Sequence, residues 1–145
     1  MTEARASHDN LNGLSDQECQ IRAKRLDRLA EWFFERQRLP NYPIKYSRLP
    51  SPDGNHARLC LEHNQIEMCL MYDPTDSWTQ EQILLEELFH YWQNQTYPEG
   101  EMREARLQAA NMGIWRVFHW METEARSFAR SAYQDWIDSE KSMMS

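Results

Sequence analysis

Between Ile21 and Phe34 the apolar positions Ile21, Leu26, Leu29, Ala30, Phe33 and Phe34 recur at helical intervals, so one stripe of this segment is apolar and the rest is polar. Ser15-Asp16-Gln17-Glu18 just before it is a capping box and Pro40 just after it is a stop, which predicts a first helix from about Ser15 to Arg38. Pro40, Pro43, Pro50 and Pro52 then forbid helix, and Asp53-Gly54 signals a turn between Ile44–Leu49 and Ala57–Glu62. The period changes to two: Leu59 and Leu61, then Ile66, Met68, Leu70 and Tyr72, alternate with polar neighbours around His63-Asn64-Gln65, which predicts a β-hairpin with one buried face.

Asp73-Pro74 ends the last strand. Ser77 with Gln80, or Thr79 with Gln82, caps a helix that carries Glu86 to His90 and runs to about Gln95, where Pro98-Glu99-Gly100 stops it. From Glu101 the chain is helical in character, with an interruption signal at Asn111-Met112-Gly113. Beyond that, Ile114, Phe118, Met121, Ala125, Phe128, Ala132 and Trp136 form one stripe. This order implies an α+β domain, a small antiparallel sheet of about three strands packed against three to four helices. No repeat or linker divides the chain, which places one domain over 15–138 with tails at 1–14 and 139–145.

With 145 residues, six Trp, six Tyr, five Phe and eight Met, the chain can bury a hydrophobic core without a structural metal or disulfides. Its three cysteines, Cys19, Cys60 and Cys69, are odd in number and lack a CxxC, so neither a disulfide framework nor a thiolate zinc site is expected. Cys60 and Cys69 could still face each other across the hairpin as small buried thiols. No apolar run approaches the roughly 18 to 20 residues of a membrane span, and the first eight residues hold no apolar signal core, so a cytoplasmic protein without membrane contact is expected.

The net charge of −7 is not spread evenly. Acids and bases balance over 1–39, 40–72 and 105–145, and the whole excess falls in 73–104, where Asp73, Asp76, Glu81, Glu86, Glu87, Glu99, Glu101 and Glu104 face Arg103 alone. A field of this sign attracts cations and basic protein partners and repels nucleic acid.

The centre of that window, Leu84-Leu85-Glu86-Glu87-Leu88-Phe89-His90, resembles the HExxH helix of zinc peptidases with Glu86 in place of the first histidine. Glu122-Thr123-Glu124-Ala125-Arg126-Ser127-Phe128-Ala129 resembles the ExxA(N/D)xFA segment that follows HExxH in the ImmA/IrrE-type family of zincin-like metallopeptidases. The resemblance covers roughly residues 57 to 133 and rests on the order of its parts, since each motif is short. It implies a zincin-like fold, Glu87 as the catalytic general base, and Glu86, His90 and Glu122 as metal ligands. On a helix wheel with Ile114 at zero, Glu122 lies at about 80° and Glu124 at about 280°, both flanking the apolar stripe. Geometry alone leaves both acids open as third ligand, with the family pattern favouring Glu122.

Two positions depart from the family pattern. A Glu, His, Glu set is oxygen-rich, which suits Mn²⁺ or Fe²⁺ as well as Zn²⁺, and its second carboxylate cancels cation charge and weakens the acidification of water. Arg126 stands where the family has Asn or Asp, and an arginine there can pair with a carboxylate instead of orienting a ligand. Glu87-x-x-His90 is also the unit that di-iron bundles use twice, but a second copy is absent from the chain. His119, at about 140° on the wheel, points away from the stripe.

Three functions of different class follow. One is a divalent-metal peptidase acting on a protein substrate. Another is a non-catalytic acidic protein on the same scaffold that engages a basic protein surface, as small acidic proteins of phages and mobile elements do. The third is a helical module that dimerises through exposed aromatics such as Trp115, Trp120 and Trp136.

Overall fold

The computed structural model describes residues 14–49, 56–60, 62–71, 78–97 and 117–144. The tail expected before residue 14, the Asp53-Gly54 turn, Leu61, Tyr72, the Asp73-Pro74 stop, Ser77, the Pro98-Glu99-Gly100 stop and the segment from Glu101 through Ile114 and Trp115 lie outside these residues. So do the side chains of Phe118, His119 and Trp120.

The first helix, α1, spans Asp16–Gln37. Its N-cap is Ser15, whose hydroxyl accepts the Glu18 N–H at 3.2 Å. Its end is a Schellman turn: the Leu39 N–H reaches the Phe34 carbonyl at 2.9 Å and the Arg38 N–H reaches that of Glu35 at 3.2 Å. Arg38 pays for the turn with a left-handed backbone, φ 56°, where a glycine would carry no Cβ penalty. Leu26, Leu29, Ala30, Phe33 and Phe34 form the buried stripe, and each large apolar side chain contributes about 1.5–3 kcal/mol by leaving water. Leu14, which the sequence assigns to the tail, is buried, and its carbonyl accepts from Arg48 at 2.6 Å.

Three strands follow: β1 (Ile44–Ser47), β2 (Ala57–Cys60) and β3 (Gln65–Cys69), in the order β1-β3-β2. The β2–β3 hairpin pairs Leu59 with Ile66 and Ala57 with Met68, and it turns through Asn64 at φ 51°, a left-handed position that asparagine tolerates. The expectation of an antiparallel sheet is corrected by β1, which runs parallel to β3 with Ile44 opposite Ile66 and Tyr46 opposite Met68. The reason is burial. Ile66, Met68 and Cys69 make β3 the most buried strand, so it takes the centre, where both of its edges are paired. β1 alternates between half-buried and exposed positions and serves as an edge. A parallel pair needs a long connection, and the stretch that contains β2 supplies it. Cys60 lies opposite Gln65 and Cys69 opposite Ser47, so the two thiols do not face each other; all three cysteines are free.

The second helix, α2, spans Gln80–Thr96 and opens on the Thr79–Gln82 capping box, with the Gln82 N–H on the Thr79 hydroxyl at 3.1 Å and the Thr79 N–H on the Gln82 side chain at 2.8 Å. Its start is tied to the end of β3. Buried Gln80 donates to the carbonyls of Cys69 and Leu70 at 2.9 and 2.8 Å, Arg22 donates to Leu70 at 2.9 Å, and buried Glu81 pairs with Arg25 at 3.1 Å. Leu84, Leu85 and Leu88 point into the core.

The last helix, α3, spans Val117–Met144 and packs chiefly on α2. Ala125, Ala129 and Ala132 form its buried stripe, small enough for close helix approach, while Phe128 stacks on Phe89 at 4.4 Å and meets Phe33 edge-on at 5.8 Å. The helix extends past residue 138, and Glu140 there pairs with Arg28 at 3.4 Å. Trp136, on the apolar stripe, is buried under Arg25, so of the rings that the sequence left open between core and interface this one belongs to the core.

Candidate metal centre

Glu86, His90 and Gln93 occupy positions i, i+4 and i+7 of α2 and so share one stripe, which faces α3. Opposite them α3 presents Met121, Glu122 and Arg126. The contacts run in reverse order along the two helices: Arg126 Nε lies 3.6 Å from Glu86 Oε1, Glu122 Oε1 lies 3.0 Å from His90 Nε2, and Gln93 bonds the Met121 carbonyl. Glu86 and Glu122 also share a hydrogen bond between their carboxyl groups. One donor atom from each of Glu86, His90 and Glu122 lies within 4.8 Å of the other two.

Gln93, fully buried, decides how His90 is presented. Its Nε2 donates to the Met121 carbonyl at 3.1 Å and to Glu124 Oε1 at 3.0 Å, and since a carbonyl can only accept, the amide orientation is forced. The Gln93 Oε1 therefore faces His90 Nδ1 at 2.8 Å and must accept from it. That leaves His90 Nε2 turned toward the carboxylates, the arrangement in which a histidine is held ready as a ligand. Glu124 is engaged from behind by Gln93 and by the Tyr97 hydroxyl. Of the two acids left open on the wheel, Glu122 thus joins the cluster and Glu124 braces its support.

The electrostatics follow from this crowding. Burial pushes Glu86 up, and the hydrogen bond and charge of Glu122 push it further, to about 7, against the pull of Arg126. Burial pulls His90 down, but its hydrogen bonds to Glu122 and Gln93 outweigh that and hold it at about 9. The bond from His90 holds Glu122 well below the usual carboxylate range. Near neutral pH His90 therefore holds its proton against an ionised Glu122, while Glu86 stands close to its midpoint.

Glu87 stands beside the triad. Burial raises it, and the nearby backbone N–H of Leu59 on β2 pulls the other way. The strand register makes that N–H available. Because the Cys69 N–H bonds the His56 carbonyl at 2.7 Å, residues 56, 58 and 60 exchange bonds with β3, and Leu59 turns its N–H outward, away from the sheet. The other histidines described, His56 and His63, lie near the start of β2 and in the hairpin turn, apart from the cluster.

Gln93 and Tyr97 belong to none of the motifs in the sequence. A signal for Gln93 was available: continuing the Glu86, His90 spacing by one more turn lands on it, and a glutamine in a helix stripe otherwise rich in core residues needs buried partners.

Among the described residues no helix is long and apolar enough to cross a membrane. Compared with known proteins, the chain matches no family model, no curated protein and no solved structure.

Proposed function

We propose that Glu86, His90 and Glu122 bind a divalent cation and that the protein is a zincin-like metallopeptidase of the ImmA/IrrE type acting on a protein substrate. The observation that carries the metal site is the convergence of three donor atoms within 4.8 Å from two helices, with His90 Nε2 presented by a buried amide. The donor set fits Mn²⁺, Fe²⁺ or Zn²⁺, the oxygen-rich balance tilting toward the first two. When bound, such an ion supplies Lewis-acid polarisation of a scissile carbonyl and makes water easier to deprotonate.

The chain's own groups divide the remaining work. Glu87, its proton affinity raised by burial, suits a base that takes a proton from water and returns it to a leaving amine. The Leu59 N–H lies near its carboxylate, and Gln93 keeps the His90 ring from rotating. Elemental analysis of the purified protein, with calorimetric titration of the chelated form, tests the reading: about one equivalent of divalent metal is expected. Glu87→Gln should keep the metal and lose peptide cleavage. A protein without metal, whose melting temperature ignores Mn²⁺, Zn²⁺ and EDTA, would overturn it.

One observation favours the second reading, a non-catalytic acidic protein that engages a basic partner. Arg126 on Glu86 and His90 on Glu122 already neutralise much of the cluster, so the scaffold is satisfied without a cation. Association that weakens steeply with salt, unaffected by EDTA and by Glu87→Gln, would select it.

A further inference from the structure

We infer that Arg126 is a tethered cation that competes with metal for Glu86 and so sets the affinity of the site; the inference rests on the metal-binding reading above. The placement is specific. Each helix carries an acid and a base one turn apart, Glu86 and His90 on α2, Glu122 and Arg126 on α3. Because the helices run antiparallel here, each acid meets the base of the other helix: Arg126 Nε stands 3.6 Å from Glu86 Oε1, and His90 Nε2 stands 3.0 Å from Glu122 Oε1. With Glu86 ionised, the four groups close a ring of alternating sign.

The two basic corners of that ring differ in what a metal does to them. His90 is itself a donor and joins the ion, whereas a guanidinium has no lone pair to offer and stays charged at every working pH. Arg126 must therefore either leave Glu86 or remain as a positive charge beside a doubly positive ion. It is free to leave, since its side chain is 61% exposed while that of Glu86 is 15% exposed. The long arm can swing into solvent at small cost, as exposed ion pairs contribute little. The result is a site whose affinity is lowered, and whose Glu86 stays paired until a cation of higher charge displaces the guanidinium.

The test is calorimetric titration of Mn²⁺ alone into the chelated full chain, as wild type, Arg126→Gln and Arg126→Lys, at low and high salt. Arg126→Gln should bind Mn²⁺ about tenfold more tightly at low salt, from removal of one positive charge a few ångströms from the ion. The gain should shrink as salt screens the charge. Arg126→Lys, which keeps the charge, should stay within about threefold of wild type. A wild type that binds while Arg126→Gln binds equally or more weakly overturns the inference, because Arg126 would then merely orient Glu86. If no variant binds Mn²⁺, the metal-binding reading itself falls and this inference with it. Far-ultraviolet circular dichroism of each chelated variant checks that the fold is intact.

Discussion

Replacing Gln93 by leucine isolates the part of the site that presents His90. The substitution keeps most of the side-chain volume at a fully buried position and removes three hydrogen bonds: to His90 Nδ1 at 2.8 Å, to the Met121 carbonyl at 3.1 Å and to Glu124 at 3.0 Å. Glu124 keeps the Tyr97 hydroxyl and the Met121 carbonyl keeps its place in the hydrogen-bond ladder of α3, so the His90 N–H is the partner that loses its bond inside the protein. A buried donor left unpaired costs about 1–3 kcal/mol, and leucine recovers part of this through its own burial, so a loss of about 1–2 kcal/mol is expected. Urea unfolding in EDTA measures it. Removing the orienting partner of a metal-binding histidine lowers affinity about 10–100-fold, read by Mn²⁺ titration of the same sample. A Gln93→Leu protein within 0.5 kcal/mol of wild type (roughly the scatter of neutral surface substitutions) that binds Mn²⁺ equally well would refute the role given to the amide.

Other outcomes follow from the same structure. In the chelated protein, Glu86 (ordinary value 4.5, raised to about 7) and His90 (ordinary value 6.5, raised to about 9) bind protons more tightly when folded, so their stabilisation is complete below the ordinary values and lost as pH rises through 7 and 9. Glu122, shifted down, acts in the opposite sense, and its contribution is lost as pH falls below its ordinary value toward about 2. Urea midpoints in EDTA should therefore peak near the ordinary carboxylate value of 4.5 and decline from there toward pH 9; a flat profile from 6 to 9 would contradict the assignment. Arg38→Gly, at φ 56°, should raise stability by about 0.5–1 kcal/mol in the same assay, since glycine adopts the left-handed helix end without a Cβ clash. A destabilised Arg38→Gly protein would show that the Arg38 side chain contributes more than its backbone costs.

The elements bounded by local chemistry were legible in the sequence. The Ser15 cap and Pro40 bracket α1, the Thr79–Gln82 box was one of two caps foreseen for α2, and alternation about His63-Asn64-Gln65 marked the β2–β3 hairpin. The partner of β1 was not legible. Asp53-Gly54 advertises a turn between neighbouring strands, but which strand takes the centre depends on burial from both faces, which only the packed helices define. The site divides in the same way. Glu86 and His90 share a stripe by spacing alone, and a wheel placed Glu122 and Glu124 on either flank without choosing between them. The choice is made by Gln93 and Tyr97, whose hold on Glu124 depends on how α2 crosses α3. Arg126 was foreseen as a carboxylate partner; that its partner is Glu86, leaving His90 to Glu122, follows from the antiparallel crossing.

The approach of Glu87 to Leu59 matters beyond any chemistry at the cluster. β2 is an outer strand of the sheet, and an outward N–H is the kind of group through which one sheet recruits another into aggregates. Here the helix that carries Glu87 packs beside that strand and brings its carboxylate near the donor. A substitution at Glu87 made to silence catalysis would therefore also change what stands beside the outer edge of the sheet.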